Sequence, residues 1–532
     1  MSSTLARIKT LESDIDKTTS LHPIFQHDFL KAACAVLELR EYARFKFRSP
    51  WDGSIEVLIP LLLKHCAGKR FQIDPITSLD ALRYFDGYYY LRELFYYTYN
   101  FPQSIGWSFY DHNQIDITFR DDSIPLQLWY DHNSWFARSH RVFQNYKRSE
   151  QTYKVVLGIE EEFKDSKGID EAYKGCLEEA RLKLGTYRNF LDDNLCFKTY
   201  TVDQFRQIYL HVTARALLRR YFVRKYLERG DEDHVTCLTL TEKDFEEALS
   251  EATGIDRTIV DSILKDITFD KEKASFRFDF DSFPLLFDER KSEFLMFPHA
   301  IAFSNCFESV RRLWAKENPQ RYGQLVAPMV DRIFTKLIED SFSSSGFHNV
   351  EHRVNVADIL PKSPDIDLLV VTVEPGDMHV VLICELKNPL PELSAKDFVA
   401  SASKDGSLFK AKIQLERLKE LPFLQFRELI KRSFPNIQLG YGAYAMCYMT
   451  ITSKNIGVLI QEGDQRVIDY EMLQSVLHAA NGDIVLFLRY TDRKRLVQMA
   501  KKCYSTYYTK WRFGEYMVTF PEIAIRNIMN FV

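Results

Sequence analysis

Residues that build loops and linkers are scarce in this chain, with 20 glycines and 18 prolines in 532 residues. That scarcity excludes collagen-like sequence and argues against long disordered tracts. Nine cysteines are scattered with no Cys-x-x-Cys pair, which excludes a zinc ribbon and a disulfide framework. Unpatterned thiols of this kind point to a reducing, cytoplasmic compartment. The opening MSSTLARIKTLESDIDK has no apolar core, so no signal peptide is expected. The longest apolar runs start at Leu368 and Val380 and are strand-length, far below the roughly 18 residues of a membrane span. There is no excess of positive charge either. The net charge of −4 is mild evidence against a broad nucleic-acid surface but leaves room for a local basic channel. No Walker A, G-x-G-x-x-G or G-x-S-x-G pattern occurs.

What the chain does have is core-forming bulk: 46% hydrophobic residues and 14% aromatic. At roughly 100–200 residues per domain, its length predicts two to four domains. Residues 1–270 read mainly as helix, with strands at NQIDITFR (from Asn113) and IPLQLWY (from Ile124). The Tyr/Phe stripe from Phe85 to Tyr99 reads as core before it reads as a base-stacking surface. The helix Phe205–Arg229 is the most basic segment. Arg215, Arg219, Arg220 and Arg224, with Lys225, are its candidate nucleic-acid contacts, weighed against a solvated helix face. Residues 271–320 read as a strand-helix connection. Residues 321–490 alternate strands and helices, including strands at NIGVLIQE (from Asn455) and DIVLFLRY (from Asp483). Residues 491–532 read as helix. The expected class is α/β: a mostly helical N-terminal region followed by a mixed sheet flanked by helices.

Two apolar strands of that sheet carry charge. In HVVLICELK, Glu385 and Lys387 stand two residues apart and share a face, while Cys384 and Leu386 point the other way. In DIDLLVVTV, Asp365 and Asp367 share a face. Charge beside a core is costly unless paired or metal-bound. Carboxylate oxygens suit Mg²⁺, which binds through one or two of them plus substrate phosphate. Phosphodiester hydrolysis uses that arrangement, and a lysine can stabilise the developing charge.

Pro364-Asp365-Ile366-Asp367 and Glu385-Leu386-Lys387, preceded by a helix-Gly-strand segment and followed by Lys410-Ala411-Lys412-Ile413-Gln414, resemble the PD-(D/E)XK, or restriction-endonuclease-like, superfamily. The resemblance covers about residues 320–460. It implies Asp367, Glu385, Lys387 and Gln414 as catalytic residues, and Asp367 and Glu385 as ligands of Mg²⁺, with Mn²⁺ as a substitute. Asp365, Asp331 and Lys412 are accessory candidates. The family's glutamate on the first helix falls here at Ala327, and Asp331, one turn on, is its candidate replacement. The implied activity is hydrolysis of nucleic acid, DNA first, in a protein of bacterial defence or restriction type that could form homo-oligomers. The alternatives are an inactive nuclease-like binding protein and an RNA-directed nuclease.

The hairpin loop decides whether the site can form. A three-residue loop, 375–377, sets Asp367 opposite Glu385 and Asp365 opposite Lys387, whereas a two-residue loop puts Asp367 and Glu385 on opposite faces. The three-residue form suits a left-handed Asp377. His348, Glu351 and His352 match H-x-x-E-H, but that zinc motif needs a helix and the segment reads as strand entry. His22 and His27 lack zinc-spaced partners.

Overall fold

The computed structural model describes residues 2–47, 52–66, 73–111, 113–125, 127–128, 146–159, 166–186, 191–196, 198–230, 236–276, 280, 282–358, 365–389, 406–439, 442–453 and 466–525. Four helices lead: α1 (Ser2–Thr19), α2 (Phe29–Phe47), α3 (Asp52–His65) and α4 (Pro75–Asn100). α4 starts where the Asp74 carboxylate accepts the Thr77 amide at 2.7 Å, with Pro75 at the first position, where no amide is needed. Its aromatic stripe is core, as expected: Phe85, Tyr88, Phe95 and Tyr97 are buried. β1 (Ile105–Phe109) and β2 (Gln114–Phe119) pair antiparallel. The strand expected from Ile124 does not form. Residues 123–125 and 127–128 are helical, and Asp121 Oδ1 accepts the Ser123 amide at 2.8 Å where that helix begins.

α5 (Tyr146–Gly158), α6 (Ser166–Thr186) and α7 (Val202–Glu228) bundle through Ala172, Cys176, Ala180, Ala214 and Leu217. A capping box between Thr201 and Gln204 starts α7. β3 (Leu238–Thr241), α8 (Glu242–Thr253), α9 (Arg257–Asp266), β4 (Leu285–Asp288) and β5 (Glu293–Met296) follow, the strands forming a sheet in the order β3-β5-β4. The connection then runs through α10 (Cys306–Glu317).

A five-stranded sheet, β10-β9-β8-β7-β6, dominates the next segment. A π-turn at Tyr322–Val326 leads into α11 (Ala327–Ser344), which ends at Gly346 with φ 93°. β6 (Val350–Val354), β7 (Ile366–Glu374) and β8 (Met378–Lys387) form an antiparallel meander. α12 (Ser407–Lys419) and α13 (Phe423–Ser433) cross to β9 (Tyr444–Thr452), parallel to β8, and β10 (Arg466–Asp469) lies parallel to β9. α14 (Tyr470–Ala480) and α15 (Ile484–Tyr490) complete it. The strand expected at Asp483–Tyr490 is therefore a helix, started by Asp483 accepting the Leu486 amide at 2.9 Å. The strand expected at 455–462 lies outside the described residues.

Both faces of this sheet are covered, which explains the unbroken apolar runs of β7 and β8. Leu369, Val371, Val381 and Ile383 pack against Leu415 and Leu418 of α12 and Phe426, Leu429 and Ile430 of α13. Leu368, Val370, Leu382 and Cys384 join a second core with Phe334 and Ile338 of α11 that continues to Phe205 and Tyr209 of α7. The 321–490 segment thus shares its core with the N-terminal half.

The last segment departs furthest from expectation. Only α16 (Arg493–Cys503) is helical, and β11 (Tyr504–Phe513) and β12 (Tyr516–Ile525) form a hairpin turning at Gly514, φ 62°. β-branched and aromatic residues crowd β11, and they favour a pleated surface over a helix. β12 pairs parallel to β2 and completes the sheet β1-β2-β12-β11. Tyr90 Oη donates to Pro521 O at 2.7 Å and Tyr516 Oη to Asp14 at 2.9 Å, which ties the two chain ends together.

Candidate active site

The β7–β8 loop is the three-residue one, with Gly376 (φ 83°) and Asp377 (φ 58°) both left-handed. Pairing runs from Glu374 opposite Met378 to Leu368 opposite Cys384. Asp367 and Glu385 are the next positions, and there the regular ladder stops. The Leu386 amide donates to Asp367 Oδ2 at 2.8 Å, so the carboxylate replaces a strand carbonyl as the strands part. Glu385 is 1% exposed, and no donor among the described residues reaches its Oε2. Lys387 Nζ pairs with Glu385 Oε1 and donates to Gln414 Oε1 at 2.8 Å. On the far side, buried Thr450 and Thr452 of β9 stand opposite Glu385 and Lys387.

Burial pushes the Glu385 carboxyl up, to about 8, and the Asp367 charge pushes the same way against the pull of Lys387. Burial likewise raises Asp367, opposed by the Leu386 amide and then Lys387. Two buried carboxylates this close, one with an oxygen that no donor among the described residues reaches, form a site short of positive charge. That donor set fits a hard divalent cation, with Asp367 and Glu385 as its protein ligands.

Asp331 of α11 belongs to the same field. Partial burial raises its carboxyl although the residue reaches solvent, Lys387 lowers it, and Asp367 raises it. Two further cations act on it, and neither was anticipated. Arg311 of α10 is 1% exposed, ion-pairs with Glu308 at 2.9 Å, and its charge lowers Asp331. Arg353 of β6 lies between the pairs His352–Leu368 and Val354–Ile366, across from Asp367, and lowers both Asp331 and Asp367. Nothing in local sequence pattern signals either arginine, because each reaches the site only through sheet pairing or helix packing.

Other expected site residues stand elsewhere. Asp365 is exposed ahead of β7 and makes no ion pair among the described residues; Lys387 turns to Glu385 and Gln414 instead, because the strands part before Asp365 can face it. Lys412 is exposed and lines a separate cleft with Glu416, Lys419, Tyr448 and Arg466, because two residues along α12 turn it away from Gln414. The basic cluster of α7 is drawn into the fold. Arg220 is half-buried, and desolvation lowers its guanidinium, while Lys225 Nζ donates to the carbonyls of Val156, at 3.2 Å, and Ile159. Arg215 lies over the Phe245 ring at 5.9 Å, Arg219 is half-buried, and Arg224 pairs with Glu228 at 2.9 Å over the Tyr153 ring. α7 is the core helix of its bundle, so no continuous basic face is left for a phosphate backbone.

Glu242, Glu246 and Asp261 form a second acidic group whose oxygens lie within 4.8 Å of one another. Arg257 pairs with Glu246 at 2.8 Å and Lys265 with Asp261 at 2.7 Å, so two of the three carboxylates are already paired. His352 pairs with Glu339 at 3.0 Å from strand β6, and no helix joins it to His348. No helix among the described residues is long and apolar enough to cross a membrane. Comparison with family models, curated proteins and solved structures finds no match.

Proposed function

We propose that this chain is a metal-dependent nuclease of the PD-(D/E)XK type, hydrolysing phosphodiester bonds in DNA. The observation that carries the reading is the meeting of Asp367, Glu385, Lys387 and Gln414 at one point where β7 and β8 part. The order helix, three-strand meander, helix, parallel strand around that point supports it.

Asp367 and Glu385 would hold Mg²⁺, with Mn²⁺ as substitute; the bound cation supplies Lewis-acid polarisation of the scissile phosphate and acidifies water. The chain's own residues do the rest. The Leu386 amide fixes the Asp367 carboxylate, so one ligand is preorganised. Gln414 accepts from Lys387 and aims its ammonium, which in that place donates to the phosphate oxygen that gains charge or orients the attacking water. Asp331 is placed to accept a proton or complete the ligand set from the helix side.

The Lys387–Glu385 contact also favours a second reading, a self-satisfied ion pair in a binding protein without turnover. Incubation of purified protein with single- and double-stranded DNA and RNA, in Mg²⁺ and in EDTA, separates the readings. The proposal expects Mg²⁺-dependent cleavage of DNA that Glu385→Gln removes; cleavage confined to RNA changes the substrate, and none under any condition leaves the binding reading.

A further inference from the structure

A groove runs along the edge of the sheet beside this site, between α11 and strand β6, and encloses about 590 Å³. Arg332 and Lys336, one helical turn apart, form one wall. His352 and Arg353 form the other, Ile333 and Leu337 make an apolar floor, and Asp340 adds one carboxylate to the lining. Lys336 is engaged by Glu339 at 2.8 Å and Asp340 at 3.1 Å, whereas Arg332 makes no ion pair among the described residues. Arg353 has φ 55°, a left-handed backbone that non-glycine residues adopt only under strain. It stands across the sheet register from Asp367, and its charge acts on that carboxyl.

We infer that this groove binds a single strand of nucleic acid on one side of the scissile phosphate, which deepens the nuclease reading and rests on it. Cations on opposite walls match a phosphate chain between them. The apolar floor suits sugar and base faces, which a duplex keeps stacked inside. A groove of this volume has room for one or two nucleotides. The strained Arg353 sets a charge at the junction, where one phosphate would sit between groove and acids.

The test is fluorescence anisotropy with a labelled single-stranded 20-mer and the matching duplex, in EDTA, on full-length protein. Wild type is compared with Arg332→Ala/Lys336→Ala; both residues are exposed, so folding is retained. The groove predicts that the double variant binds the single strand at least tenfold more weakly, with a salt slope shallower by about 1.4, since each lost single-strand contact removes about 0.7. Duplex affinity changes far less. Unchanged single-strand affinity and slope, or equal losses for both substrates, overturn the groove. The two readings fail separately: a wild type that cleaves while the double variant binds normally loses only the groove, and a wild type that binds through Arg332 and Lys336 but never cleaves loses only the hydrolytic step.

Discussion

At the residue scale the decisive feature is a carboxylate held where carboxylates are least stable. Glu385 is almost fully buried, no donor among the described residues reaches its Oε2, and the Asp367 charge raises its carboxyl further. Without metal the folded protein holds the Glu385 proton more tightly than the unfolded chain does. Its contribution to stability is therefore fully present below the ordinary carboxylate range and is lost as pH rises toward about 8. Glu385→Gln removes that loss. In EDTA the variant should match wild type near pH 5 and exceed its Tm by several degrees at pH 8.5, measured by thermal unfolding across pH. Parallel Tm profiles for the two proteins would show that Glu385 is not strained in this way. Saturating Mg²⁺ should raise the wild-type Tm and leave that of the variant nearly unchanged. The residues of this pair were legible in sequence because period two is rigid: Glu385 and Lys387 had to share a face. Arg311 and Arg353 were not, because their approach depends on how α10 and β6 dock.

At the element scale the β7–β8 hairpin sets the site. A left-handed Asp377 gives the three-residue loop, and the loop gives the register that brings Asp367 to Glu385. The turn is also packed from outside: a Cβ on Gly442, just before β9, would collide with the Asp377 backbone. Gly442→Ala should therefore destabilise the protein by about 1–3 kcal/mol, as overpacking does, read as a lower urea midpoint. An unchanged midpoint would mean the loop yields freely. Sequence periodicity failed where capping chemistry competed with it. Asp121 and Asp483 turned two apolar runs into helices, and the helix expected from Asp492 stops at Cys503, where the aromatic and β-branched run of β11 begins. Another element carries its own pH dependence. Half-buried His22 caps the turn at Pro23–Gln26 by accepting the Ile24 amide at 3.3 Å, and desolvation lowers its imidazole to about 4 against a weaker upward pull from Asp80. Because the folded value is depressed, stability is lost as pH falls from 6.5 toward 4. His22→Asn, which keeps a capping acceptor, should flatten the profile there, as followed by circular dichroism; a profile as steep as that of wild type would remove His22 as its cause.

At the scale of the whole molecule, the chain ends close the N-terminal half, and the 321–490 segment shares its core with that half. Phe513, Val518 and Phe520 of the C-terminal hairpin are buried with Leu82, Phe85 and Phe95, and Trp511 lies against Gly87. Deleting residues 504–532 strips one side of that core. The truncated protein should aggregate or lose most of its cooperative unfolding, and a truncation that unfolds at the wild-type Tm would contradict the shared core. Domain boundaries were the least legible part, since residues 1–270 and 321–490 share one hydrophobic cluster that no local pattern reports. The proposal that the cluster at Asp367, Glu385, Lys387 and Gln414 hydrolyses nucleic acid is tested by DNA cleavage in Mg²⁺ by wild type beside folded Lys387→Ala and Asp365→Asn. Wild type and Asp365→Asn should cleave, and Lys387→Ala should lose at least about a hundredfold. Equal turnover by wild type and Lys387→Ala would contradict it.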